Sequence, residues 1–90
     1  MRDYYRSCEI FREDGSRLEL HYYRLTQQLG GMAHYGAEIV LLDGLRMESA
    51  SARWLTTKSE DIRDFLELLY RNAVTPCALQ DVVADKLNYF

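Results

Sequence analysis

Two histidines, His21 and His34, and two cysteines, Cys8 and Cys77, are the side chains of this chain best suited to hold a metal. No Cys-x-x-Cys, His-x-x-His or His-Glu-x-x-His spacing joins them. The strand pairing argued below separates the two histidines by six residues, roughly 20 Å at about 3.3 Å per residue, too far to share one ion. No metal and no other cofactor is therefore expected. Nucleophilic catalysis needs a Ser, Cys or Thr beside a base that a third group orients. Ser7 and His21 face each other across the first predicted hairpin, but no Gly-x-Ser-x-Gly turn is present, and an ordinary cross-strand polar pair is the simpler reading. Glu38 is the one acid set among apolar strand residues, which makes it the candidate for a buried, proton-holding carboxylate. Asp61, Asp64 and Glu67, and then Asp81 with Asp85, fit solvated helix faces instead. Gly30-Gly31 and Asp43-Gly44 lack the spacing and the following helix of a phosphate loop. Taken together, these patterns predict a protein that is not an enzyme.

The elements that would position any site are written more clearly. Ile62, Phe65, Leu66, Leu69, Tyr70 and Ala73 recur at the spacing of one apolar helical stripe. Thr57 with Glu60 has the form of a capping box, Ser59 competes as N-cap, and Glu60, Asp61 and Asp64 put negative charge at the positive end of the helix dipole. Arg71 and Asn72 suit the last turn and exit. A second helix is expected at once, with Thr75 as N-cap, Pro76 in the first turn and Val74 stapled to Leu79. Its stripe runs Leu79, Val82, Val83, Leu87 and Phe90.

Before Thr57 the apolar period is two. Glu13-Asp14-Gly15 reads as a three-residue loop, a type I turn with a G1 bulge, which sets Ile10 opposite Leu18, Cys8 opposite Leu20 and Arg6 opposite Tyr22. A two-residue Asp14-Gly15 turn would scatter the apolar residues over both sides. Gly30-Gly31 reads as a two-residue turn that sets Tyr22 opposite Ile39 and Leu20 opposite Leu41. Asp43-Gly44 turns the chain into a fourth strand, for which two registers compete. The predicted fold is thus α+β, a four-stranded antiparallel meander over residues 1–56 followed by two helices, 57–90, packed on one sheet face. The chain is one domain of ninety residues.

The inner face then carries Cys8, Ile10, Leu18, Leu20, Tyr22, Ala37, Ile39 and Leu41. The outer face displays Phe11, His21, Tyr23, Leu25, His34, Val40 and Trp54 among Glu9, Glu19 and Glu38. Aromatics interleaved with polar groups are the usual signature of a contact face. Phe11, His21, Tyr23, His34 and Trp54 are therefore the candidate surface for a partner protein or a second copy of the chain, a homodimer in the simplest case. The alternative is a small-ligand cleft between sheet and helices, with Tyr22, Tyr35, Glu38 and Tyr70 supplying polar groups.

Several segments also resemble a known group of proteins. Tyr35-Gly36-Ala37-Glu38-Ile39, Ser59-Glu60-Asp61 at a helix start, Asn72-Ala73-Val74-Thr75-Pro76, and Leu79-Gln80-Asp81-Val82-Val83-Ala84-Asp85 look like a family of short bacterial proteins of unknown function. The resemblance covers most of the chain after the first strand. It implies a bacterial, intracellular protein and supplies no reaction, ligand or catalytic residue.

Charge narrows the partners. Lys58, Arg63, Arg71 and Lys86 against Glu60, Asp61, Asp64, Glu67, Asp81 and Asp85 leave the helical part at net −2, so its second helix would offer Asp81 and Asp85 to phosphates. Seven arginines of the strand region are offset by eight acids. No nucleic acid is expected as a partner. The longest apolar run, Ile39 to Leu42, is far too short to span a bilayer, and no apolar leader follows Met1-Arg2-Asp3-Tyr4. Two cysteines do not make a disulfide framework. A cytoplasmic protein without membrane contact is the expectation.

Overall fold

The computed structural model describes residues 1–86. Four strands, β1 (Arg2–Phe11), β2 (Arg17–Leu29), β3 (Met32–Asp43) and β4 (Arg46–Thr56), form one antiparallel sheet in the order β1-β2-β3-β4. Two helices follow, α1 (Ser59–Arg71) and α2 (Leu79–Lys86), with a 3-10 turn at Pro76–Ala78 leading into α2. The predicted meander with a helix pair on one face is the observed fold.

Turn chemistry accounts for the first two registers. Arg12 and Ser16 close the first loop through Arg12 N–H to the Ser16 carbonyl at 2.9 Å, and Asp14 Oδ1 accepts from the Ser16 amide at 2.8 Å. Ile10 pairs with Leu18, Cys8 with Leu20 and Arg6 with Tyr22, as the three-residue loop predicts. In the second turn Gly30 and Gly31 have φ +59° and +78°. Two successive left-handed residues are what a primed turn requires, and only glycine adopts them without steric cost. Leu29 then pairs with Met32 and Tyr22 with Ile39. The third hairpin, open between two registers in the sequence, pairs Asp43 with Arg46 around Gly44-Leu45. Met47 thereby faces away from the helices while Ala50 and Ala52 face them.

Two bulges modify the alternation. One lies between Tyr4 and Arg6 on β1, the other between Tyr35 and Ala37 on the β3–β4 pairing. Near the second, the sheet closes tightly over Gly36, where a Cβ would stand 2.3 Å from the Ala52 carbonyl oxygen.

The core lies between the sheet and the helices. Leu20, Tyr22, Ala37, Ile39 and Ala52 from the strands meet Ile62, Phe65, Leu66, Leu69, Val74, Leu79 and Val83. Among these, Leu20, Tyr22, Ile39, Ile62, Leu66, Leu69 and Leu79 are essentially inaccessible. Each such side chain contributes about 1.5–3 kcal/mol relative to exposure, so the helical stripe holds α1 down far more strongly than its ends do.

The helix ends differ from expectation. Lys58 is the N-cap of α1 and no side chain caps it, so the predicted Thr57–Glu60 box and the Ser59 alternative are not formed. The reason is the exit from β4: the strand ends at Thr56, the chain bends at Thr57, and Lys58 takes the N-cap position at φ −103° and ψ 122°, its amide donating to Thr56 Oγ1 at 3.1 Å. At the other end Asn72 is the C-cap, as expected. The Val74 amide reaches back to the Leu69 carbonyl at 3.0 Å and the Ala73 amide to Tyr70 at 3.1 Å, a Schellman closure. Ala73 occupies its left-handed position at φ +48°. Thr75 stands at the N-cap position of the next turn, with Pro76 after it, but its hydroxyl lies 3.3 Å from Cys77 Sγ instead of capping the backbone. Leu87 and Phe90 of the predicted second stripe, and the Tyr89-Phe90 end, lie outside the described residues.

Candidate functional site

The helices leave one face of the sheet open. Its rows follow from the registers: Tyr4–Tyr23–Glu38–Ser51, then Ser7–His21–Val40–Ser49, then Glu9–Glu19–Leu42–Met47, with Phe11–Arg17 beyond. The face is contoured. Arg2 lies over the Tyr23 ring at 4.1 Å and pairs with Glu38 at 2.9 Å, forming a polar bar across it. On one side of this bar a hollow of about 420 Å³ is lined by Leu25, Arg53 and Trp54 among others. On the other, a hollow of about 230 Å³ is lined by His21, Tyr23, Val40, Leu42 and Met47. Val40 and Leu25 are nearly closed off at the floor, while Tyr4, Phe11 and Met47 at the margins are 58%, 66% and 68% exposed.

Of the predicted surface residues, Phe11, His21 and Tyr23 project from this face, and Trp54 lines the larger hollow. His34 pairs with Gln27, three outward-facing rows along from His21, so alternation puts it on the same side at the far end. Tyr4 and Met47 escaped the sequence reading. Unbroken alternation back from Cys8 and Arg6 points Tyr4 at the helices, but the bulge turns it outward, where its ring meets Tyr23 edge-on at 5.9 Å and His21 at 6.3 Å. Met47 was hidden by the unresolved choice of the third register. No local signal reveals the bulge; the Asp43-Gly44 turn alone bore on Met47.

Charge on the open face is balanced. Arg2, Arg17 and Arg53 stand with Glu9, Glu19 and Glu38, while the chain as a whole has net charge −3. Arg17 pairs with Glu9 at 3.3 Å, and His21 Nε2 lies 3.7 Å from Glu19. Hydrogen bonding to Glu38 raises the Arg2 pKa further.

The residues named for a cleft do not converge. Tyr22 is fully buried and donates its hydroxyl to the Val74 carbonyl at 3.0 Å. Burial pushes its phenol pKa well above the usual value. Tyr70 meets Tyr22 edge-on at 6.3 Å, and Tyr35 packs at the core margin with the Arg24 guanidinium 5.4 Å from its ring. Glu38 is on the opposite face, paired with Arg2, so it neither joins the tyrosines nor sits alone in an apolar site. The alternation of β3 dictates this: Glu38 lies between Ala37 and Ile39, whose side chains enter the core.

Other chemical candidates fare as follows. Ser7 and His21 are register partners, but the Ser7 hydroxyl accepts from Tyr4 at 2.8 Å. Burial pushes the Cys8 thiol pKa up, whereas Cys77 is exposed on the helical side. Among the described residues no group of three His, Cys, Asp or Glu side chains is placed to hold a metal ion. No helix among them is long and apolar enough to cross a membrane.

No curated protein and no solved structure matches the chain. A family model does, over residues 1–89, and by that extent the chain belongs to the Family of unknown function (DUF6514).

Proposed function

We propose that the chain is a non-catalytic self-associating module that pairs the open faces of two copies. The observation that carries this reading is the open face itself: a floor of Leu25 and Val40, with Tyr4, Phe11 and Met47 largely exposed around it. A two-fold interface uses the same patch on both subunits, so the patch must complement itself. Three guanidiniums and three carboxylates interspersed among apolar side chains meet that condition, because rotation of a second copy can bring arginines over glutamates without net repulsion. Size agrees as well. Ten residues of strand at about 3.3 Å and four strands at about 4.8 Å outline roughly 600 Å², near the ~800 Å² per partner of a standard interface.

The sheet edges are poorer candidates. β1 carries Arg2, Asp3, Arg6 and Glu9 and a bulge, and β4 carries Arg46, Glu48 and Arg53. Charges and bulges are the devices that keep an edge strand from adding another strand.

Sedimentation equilibrium from about 1 μM to about 1 mM spans the affinities of such modest interfaces. The expected result is a mass rising from 10.6 kDa toward twice that value. Met47→Glu and Phe11→Glu, both exposed in the single chain, are expected to weaken association by roughly tenfold or more by placing a charge in the contact. A mass of 10.6 kDa at every concentration, or association that both substitutions leave unchanged, would refute the reading.

A further inference from the structure

A cavity of about 420 Å³ lies between the start of β1, β2 and the first two turns of α1, lined by none of the residues named for the predicted cleft. Tyr4, Tyr5 and Leu66 contribute to its lining, and Arg24, Arg63, Ser59 and Asp3 supply its polar groups. We propose that it binds a small organic anion, one oxyanion group carried on a flat or apolar body.

Three features lead there independently of the self-association reading. First, the charge is positive on balance. Asp3 is the one acid of the lining, and its Oδ2 already accepts from Arg24 Nη2 at 3.1 Å, which fixes that guanidinium without neutralising Arg63 as well. Second, donor capacity remains. No carboxylate within salt-bridge distance of Arg63 is found among the described residues, although α1 carries four acids. Glu67, the acid one turn along α1, is held by the Tyr5 hydroxyl and by Arg71 at 3.1 Å, and these contacts keep its pKa below the usual carboxylate range. Third, the Tyr5 ring and the Leu66 side chain give the remaining wall an aromatic and an aliphatic surface. Guanidiniums beside an apolar wall are the combination that takes a carboxylate or phosphate with its organic body desolvated, since a planar fork pairs the oxygens and the ring covers the rest.

This placement was beyond sequence reasoning. Arg24 and Arg63 are 39 positions apart, and the bulge at Tyr5 turns that ring toward α1.

The test is an amide and arginine Nε–H chemical-shift titration of the whole chain with phenyl phosphate, benzoate, inorganic phosphate and uncharged phenol at constant ionic strength. Expected are saturable shifts at residues 5, 24, 59 and 63 with phenyl phosphate or benzoate, weakened roughly tenfold or more in Arg63→Gln, in line with loss of a charge-assisted pair. Arg63→Lys, which keeps the charge and loses the fork, should fall between. The ranking of phenyl phosphate against benzoate tells a phosphate ligand from a carboxylate, and inorganic phosphate should bind more weakly than phenyl phosphate. Absence of saturation by about 10 mM, a Kd weaker than ~3 kcal/mol of binding, overturns the proposal. Equal binding in Arg63→Gln, or phenol binding as tightly as phenyl phosphate, overturns it too. Shifts at residues 5, 24, 59 and 63 do not depend on the oligomeric state, because these residues lie outside the proposed two-fold patch and Arg63 is on the helical side of the sheet.

Discussion

Removing one oxygen from the core tests the fold where its two layers meet. Tyr22 projects from the centre of β2, is fully buried, and donates its hydroxyl to the Val74 carbonyl at 3.0 Å, joining the sheet to the segment that links α1 with α2. Tyr22→Phe keeps the ring and its edge-on contact with Tyr70 but leaves that buried carbonyl without its donor. Orphaning a buried acceptor costs about 1–3 kcal/mol, which for a domain of this size lowers the thermal midpoint by roughly 5–15 °C at neutral pH. A second, signed consequence follows from burial, which raises the Tyr22 pKa far above the ordinary 10.0. Above pH 10 the unfolded chain releases the phenolic proton while the folded one keeps it. The unfolded state then binds fewer protons, and stability falls by up to about 1.4 kcal/mol per pH unit. Tyr22→Phe removes this contribution, so its alkaline limb should be shallower than that of the wild type even though its neutral stability is lower. The assay is urea unfolding followed by far-UV circular dichroism from pH 7 to 11.5. Equal midpoints at pH 7 together with parallel alkaline limbs would refute the assigned hydrogen bond and the burial behind it.

Three further substitutions or conditions follow from the same geometry. Ala73 holds a left-handed position at φ +48°, so Ala73→Gly should stabilise the domain by about 1 kcal/mol in denaturant titrations, less whatever its methyl contributes to packing. Gly36→Ala would place a Cβ 2.3 Å from the Ala52 carbonyl oxygen, and a loss of about 3 kcal/mol or more, or failure to fold, is expected by circular dichroism. At low pH the carboxylates of Asp43, held down by the Arg12 hydrogen bonds, and of Glu67, held down by Tyr5, have pKa values below their ordinary 3.8 and 4.5. Their contributions are present above those ordinary values and are lost as pH falls through the folded-state values. Arg12→Gln should therefore flatten the acid limb of the stability curve, measurable by thermal melts between pH 5 and 2.

The residues themselves determined the element types, the helical stripe from Ile62 to Leu69, and the first two registers. Each of these is local. A three-residue loop ending in Gly15 and a Gly30-Gly31 turn fix which residues oppose one another within a few positions of the turn, and a helical stripe is periodic within one element. That was also enough to place Phe11, His21 and Tyr23 on the uncovered face.

What only the tertiary structure decided involves residues far apart or backbone irregularities that carry no composition signal. The bulge beside Tyr5 sends Tyr4 outward and Tyr5 toward Glu67, sixty-two positions away, because α1 offers the phenol a carboxylate. Glu38 is matched to Arg2 across thirty-six positions, which removes it from any cleft with Tyr22, Tyr35 and Tyr70. The expected cap at Thr57 and Glu60 fails because the chain bends at Thr57 on leaving β4 and Lys58 takes the N-cap position of α1. In the first two cases a side chain is placed by a neighbour that the fold, not the chain order, brings into contact, and pattern alone contains no term for such a neighbour.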